Sequence, residues 1–240
     1  MCLIFKKDKD MEPISRAWCE DVWGRNSDGW GIAFNKPSTN HMTIKTGMDF
    51  VDFWDRFSSL QRLDIDVFVH MRMATQGEVS PANNHPYCLS ERHNIWLMHN
   101  GSLNYPGEGE MDDGDSDFIP EYPEDHYMRG AVAPYSAAYS GWGSGPSDTY
   151  LLVERLLKPM LKNMVNASDF IRSKGFEWMM EQTNGAYNKF TLHDNWGHVV
   201  LNQEDWHETE TGILVSNTYA FSLDKKPYKT TRFNAQKEAS

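Results

Sequence analysis

The residue with most chemistry to offer is Cys2, directly behind the initiator methionine and ahead of the apolar run Leu3-Ile4-Phe5. Loss of Met1, which a small second residue permits, leaves Cys2 with a thiol and a free α-amine on one carbon skeleton. The amine has a reference pKa of ~7.7–8.0 and the thiol ~8.5, so near neutral pH the amine can take the thiol proton directly or through one water. An N-terminal amine activating its own side chain is an established form of nucleophilic catalysis. Taken alone, Met-Cys before an apolar run is an ordinary strand start. The reading changes because chemistry-bearing residues cluster downstream, at His70-Met-Arg72-Met-Ala-Thr75-Gln76-Gly77-Glu78, Asn84-His85-Pro86, His99-Asn100-Gly101 and Ser147-Asp148-Thr149.

These clusters need elements to hold them. Residues 2–6 read as a short strand that pins Cys2 in a sheet, and 13–23 as a helix. Asn26-Ser27-Asp28-Gly29 is a turn signal that opens a strand running to Phe34. A further strand falls near 41–46. Phe50, Phe53, Trp54, Phe57 and Leu60 recur at three- and four-residue spacing, which predicts an amphipathic helix over 49–62 with a core-facing aromatic stripe. A buried strand at 66–71 delivers Arg72 at its end, and a strand near 95–99 delivers His99-Asn100-Gly101. Ser147 is placed as an N-cap, Leu152, Leu156 and Met160 make the apolar face behind it, and Pro159 ends or bends that helix. A helix over about 168–181, strands near 187–193, 197–202 and 212–216, and a polar tail over 217–240 complete the chain.

Between these elements, residues 106–146 are rich in glycine, proline and acid and keep no period, so they read as an insertion. Asp113, Asp115, Asp117 and Glu124 there fall at calcium-loop spacing, but Phe118 stands where the loop needs glycine and no helices flank it. A solvated acidic loop is the reading, with no metal and no cofactor. The cysteines Cys2, Cys19 and Cys88 form no CxxC pair, so neither a disulfide framework nor a cysteine zinc site is indicated, which suits a reduced, cytoplasmic protein. A net charge of −11 argues against nucleic acid or an anionic membrane as a partner. No apolar run approaches the ~20 residues that a membrane-spanning helix needs.

In this order behind Cys2, the clusters resemble the glutaminase domain of class II glutamine amidotransferases, in the N-terminal-nucleophile hydrolases, over roughly residues 2–216. The stretch Asn26 to Ile32 is similar to the free-standing members. The resemblance implies an α+β fold, a four-layer αββα sandwich with two antiparallel sheets between helical layers. It implies Cys2 as the nucleophile, with the Asn100 side chain and the Gly101 N–H around the oxyanion. L-Glutamine carries an α-carboxylate, an α-ammonium and a side-chain amide, so a site for it needs a cation, an anion and acyl-transfer groups. Arg72 would hold the carboxylate and Asp148 the ammonium. Thr75, Gln76 and His85 stand where the family makes further polar contacts to glutamine.

Two departures accompany the match, Met73 where the family often has Trp and Gln76 where it commonly has His. The expected activity is hydrolysis of the glutamine side-chain amide through a γ-glutamyl thioester, giving glutamate and ammonia. Only a short polar tail follows the last strand, so the expected partner is an ammonia-accepting synthase or ligase subunit. The alternatives are a stand-alone amidase acting on another γ-glutamyl amide, and a non-catalytic glutamine-binding module of the same fold.

Overall fold

A computed structural model describes residues 2–101, 103, 145–184, 188–201, 206–219 and 230–232. The calcium-loop acids, and almost all of the 106–146 insertion, lie outside the described residues.

The elements in order are β1 (Leu3–Lys7), α1 (Arg16–Trp23), β2 (Trp30–Lys36), β3 (His41–Gly47), α2 (Phe50–Leu60), β4 (Val67–Met71), β5 (Tyr87–Ser90) and β6 (Ile95–Asn100). There follow α3 (Asp148–Leu152), a π-turn (Val153–Leu157), α4 (Lys158–Leu161), α5 (Ala167–Ile171), α6 (Lys174–Asn184), β7 (Lys189–Asp194), β8 (Gly197–Leu201), β9 (His207–Thr209), β10 (Leu214–Val215) and β11 (Thr230–Arg232). They form two antiparallel sheets, ordered β11-β9-β10-β1-β4-β2-β3 and β5-β6-β7-β8.

Strand alternation decides what each sheet face meets. On the outer face of the seven-stranded sheet, Leu3, Phe5, Val67, Val69, Trp30 and Ile32 pack against Trp18, Val22, Phe53 and Phe57 of α1 and α2. On the outer face of the four-stranded sheet, Leu97, Phe190 and Leu192 pack against Leu152, Leu157, Ile171 and Phe176. The inner faces meet through Ile4, Ala33, Phe68, Met98, Val200, Trp206 and Leu214. The result is helices, sheet, sheet, helices: the four-layer αββα arrangement.

Helix starts follow side-chain caps. Ser15 Oγ accepts the Trp18 N–H, Asp49 Oδ1 accepts those of Val51 and Asp52, and Ser147 Oγ accepts that of Tyr150. At Pro159 the helix does not end. A proline ring cannot donate to the carbonyl four residues back and collides with it. The helix widens one turn earlier, where the Lys158 N–H reaches the Val153 carbonyl. That extra residue moves the core face. Leu157 and Leu161 are buried, while the expected Leu156 and Met160 are only partly buried.

The expected 168–181 helix is two helices. Ser173 Oγ accepts the Phe176 N–H at 3.2 Å and so caps a fresh start, while Arg172 is drawn out to Asp194, its Nε lying 3.1 Å from Oδ2. Strands β5 and β9 also form, and Thr230–Arg232 within the polar tail pairs with β9. No helix among the described residues is long and apolar enough to cross a membrane.

Phe57 is fully buried, stacked on Phe53 at 5.3 Å and edge-on to Phe5 at 5.8 Å. Replacing it with alanine removes contacts on both sides of the outer core and should lower unfolding free energy by ~3–5 kcal/mol. Urea midpoints at unchanged slope measure this, with the exposed Trp196→Ala expected within ~0.5 kcal/mol of wild type. Equal midpoints for the two variants would contradict the layer assignment.

Candidate active site

Strands β1 and β4 pair antiparallel with Leu3 opposite Met71 and Ile4 opposite His70, so continuing the register sets Cys2 opposite Arg72. Even-numbered residues of both strands turn toward the other sheet, as Ile4 and Phe68 do. The same alternation carries Asn100 past Met98 in β6, and Ser216 past Leu214 in β10, onto that side. Four strand ends from two sheets therefore converge.

The convergence is hydrogen-bonded. Ser216 N–H donates to the Ile4 carbonyl at 2.8 Å, and Ile4 N–H donates back to Ser216 Oγ at 2.9 Å. Asn217 Nδ2 donates to the Cys2 carbonyl at 2.6 Å, and Asn100 Nδ2 lies 2.7 Å from Ser216 Oγ. Cys2 is half-buried, with its Sγ 3.4 Å from both the N–H and the carbonyl of Met73.

Arg72 is 3% exposed. Its guanidinium donates to the carbonyls of Glu78 at 2.8 Å, Gln76 at 3.1 Å and Gly77 at 3.4 Å. Among the described residues, none of these bonds goes to a carboxylate. Asp148, at the first position of α3, accepts the Leu103 N–H at 2.9 Å and the Thr149 N–H at 2.7 Å. Both charges act on the Cys2 thiol, with opposite signs.

Gly101 has φ 153°, and a Cβ there would lie 1.9 Å from Asn188 Oδ1 and 2.9 Å from His99 Nε2. Only glycine fits so close to the His99-Asn188 pair, whose hydrogen bond spans 3.0 Å.

Cys2, Arg72, Asn100 and Asp148 are thus joined in one set, and Gly101 follows Asn100 directly. His85 is buried between His70 at 4.1 Å and Tyr87 at 4.7 Å, with neither ring nitrogen hydrogen-bonded among the described residues. Thr75 is exposed, and Gln76 reaches the set through its backbone carbonyl.

Sequence reasoning missed three contributors. Asp28 Oδ2 holds the Ala74 N–H at 2.7 Å, fixing the loop after Arg72, and Ser216 and Asn217 clamp the nucleophile strand. The turn signal at Asn26-Ser27-Asp28-Gly29 took in Asp28 without its role, and nothing local tied residue 217 to residue 2.

Burial pushes the Cys2 thiol pKa up, opposed by the Met73 N–H, the terminal ammonium and Arg72, while Asp148 adds to the rise. The thiol therefore stays protonated near neutral pH and needs a base at the moment of attack. Burial also depresses His70 to about 3, and holds His85 well below and His99 below their ordinary value. These rings are neutral, and none competes with Arg72 for a carboxylate.

Residues 16–118 match the family model for class II glutamine amidotransferases. The chain is similar to glutamine phosphoribosylpyrophosphate amidotransferase from B. subtilis, solved with ADP and GMP, at 15% identity and TM-score 0.50, over 92% of this chain and 42% of that one. It is also similar to a structure described as the allosteric regulatory enzyme of purine biosynthesis, at 16% identity and TM-score 0.52, over 97% of this chain and 44% of that one. The chain spans less than half the length of either. No curated protein matches it. The family model matches less than half of the chain, and the two solved structures, at 15% and 16% identity, share its fold.

The raised thiol pKa has a measurable sign. In the folded chain, iodoacetamide labelling of Cys2, located by peptide mass, should have a pH midpoint above that of the urea-unfolded chain. Labelling at pH 8 should then be slower folded than unfolded. A folded midpoint at or below the unfolded one would contradict the burial that raises it.

Proposed function

We propose that this chain is a class II amidotransferase domain acting as a glutaminase, which hydrolyses the side-chain amide of L-glutamine through an N-terminal cysteine, releasing glutamate and passing ammonia to an acceptor enzyme in the cytoplasm. The domain would comprise residues 2–216, with an insertion at 106–146 and a tail at 217–240. The observation that carries the reading is Arg72, a buried guanidinium with no carboxylate bonded to it among the described residues, beside a thiol. A desolvated cation gains most from a bidentate anion, and the substrate α-carboxylate supplies one.

The steps follow from these positions. With Met1 removed, the Cys2 α-amine takes the thiol proton as sulfur attacks the amide carbon. Negative charge develops on the amide oxygen, where the Asn100 side chain and the Gly101 N–H supply donors. The C–N bond breaks, ammonia leaves with the proton returned from the amine, and a γ-glutamyl thioester remains on Cys2. Water, deprotonated by the same amine, cleaves the thioester to glutamate and restores the thiol. Arg72 and Asp148 hold the two ends of the amino acid so that its amide lies over Cys2. Thr75, Gln76 and His85 add polar contacts around it.

The departure at Met73 supports a second reading, because this residue is 43% exposed on the loop whose backbone holds the Cys2 sulfur. A flexible apolar side chain at that edge would admit a larger γ-glutamyl amide.

Intact mass should show Met1 removed, and the same sample should release glutamate from glutamine while Cys2→Ala releases none. Asn100→Ala should lower kcat by ~10²–10³. Arg72→Ala should act mainly on KM. A sample lacking Met1 that ignores glutamine but cleaves another member of a γ-glutamyl amide panel selects the second reading. Retained Met1 with glutamine binding and no turnover would replace catalysis with a binding role.

A further inference from the structure

Asn100 and Ser216 carry an imbalance. Ser216 Oγ lies within reach of two N–H donors, Ile4 at 2.9 Å and Asn100 Nδ2 at 2.7 Å, and among the described residues nothing accepts the Ser216 proton. Across the same carboxamide, Asn100 Oδ1 is buried with no hydrogen-bond partner. Asn100 is 3% exposed and Ser216 fully buried, so solvent does not readily make good either deficit. An unsatisfied buried polar group costs roughly 1–3 kcal/mol, and turning the amide pairs the serine proton with Oδ1 and leaves only the amide nitrogen without a partner.

A half-turn of the Asn100 amide about its last bond exchanges oxygen and nitrogen while keeping the heavy-atom positions nearly fixed. Ser216 O–H then donates to Oδ1 while its oxygen still accepts from Ile4. The separation of 2.7 Å fits this better, since O–H···O bonds centre at ~2.7–2.8 Å and N–H···O bonds at ~2.9–3.0 Å. Nδ2 takes the place of the unpartnered oxygen.

We propose that Ser216 is a positioning residue for the oxyanion site: its hydroxyl donates to Asn100 Oδ1 and thereby keeps Nδ2 free as a donor for the substrate oxygen. This rests on the glutaminase reading. Without the hydroxyl, the carboxamide loses the bond that fixes which end faces the substrate. The Ile4 bonds give the arrangement its stiffness, because Ser216 is held through its own N–H as well. The free Nδ2 lacks a partner until charge develops on the substrate oxygen, so its bond forms in the transition state rather than the ground state.

The test is a double-mutant cycle on the full chain. Ser216→Ala should lower kcat on the order of 10–100-fold, less than the ~10²–10³ lost with an oxyanion donor itself, and leave KM within about threefold. In an Asn100→Ala background the same substitution should cost almost nothing further. An equal loss in both backgrounds, which lost strand support alone would give, overturns the proposal, as does an unchanged kcat. A neutron map of the wild-type protein decides the orientation whatever the activity: the Ser216 deuterium directed at Asn100 Oδ1 supports it, and Asn100 Nδ2 deuterons directed at Ser216 overturn it. Wild type inactive on glutamine and other γ-glutamyl amides sinks the glutaminase reading instead, leaving the map to judge Ser216.

Discussion

A nucleophile at the start of a chain has sequence neighbours on one side only, so its position must come from elsewhere in the fold. Here the constraint is the pairing of β1 on both edges, to β4 along its whole length and to β10 at Phe5 and Lys6. An interior strand with both rows of backbone groups satisfied cannot slide without breaking two ladders. Ser216 and Asn217 extend the hold past the last paired residue, through Ile4 and the Cys2 carbonyl. The other site groups inherit their places from this one. Arg72 lies across the ladder from Cys2, and Asn100 comes over from the second sheet to meet the same serine.

The site's electrostatics follow from burial more than from charge count. A chain with net charge −11 sets one guanidinium beside its candidate nucleophile and surrounds it with backbone carbonyls and neutral imidazoles. Carbonyl dipoles partly stabilise the cation without neutralising it, which a carboxylate partner would do. The loop from Ala74 to Glu78 gains its shape in the process. Asp28 holds one end by the Ala74 N–H and Arg72 gathers the carbonyls of the other, so the recognition loop and the recognising charge form one unit.

Legibility in the sequence followed the range of the interactions involved. The α2 stripe and the Ser147 cap repeat or close within a few residues, and each could be read from spacing and residue type. The break at Ser173 has a local cause too, but a serine inside an apolar period looks like an exposed helix position until its hydroxyl is seen to cap. Strand β9 carries a polar sequence, and its place depends on the partners β10 and β11. The same contrast holds at the site. Arg72, Asn100, Gly101 and Asp148 stand in recognisable clusters, whereas Asp28, Ser216 and Asn217 serve it across 46 to 215 residues of sequence.

The wide turn at Val153–Leu157 bears on how this helix tolerates changes in length. A helix that carries one residue more than its period allows has two ways to accommodate it, by sliding an end or by swelling one turn. This one swells, and both ends stay anchored: Ser147 and Asp148 at the site, Leu157 and Leu161 in the outer core. The turn works as an expansion joint. The extra residue is taken up there as girth, in a turn that starts at Val153, past the acid Asp148 at the helix's first position.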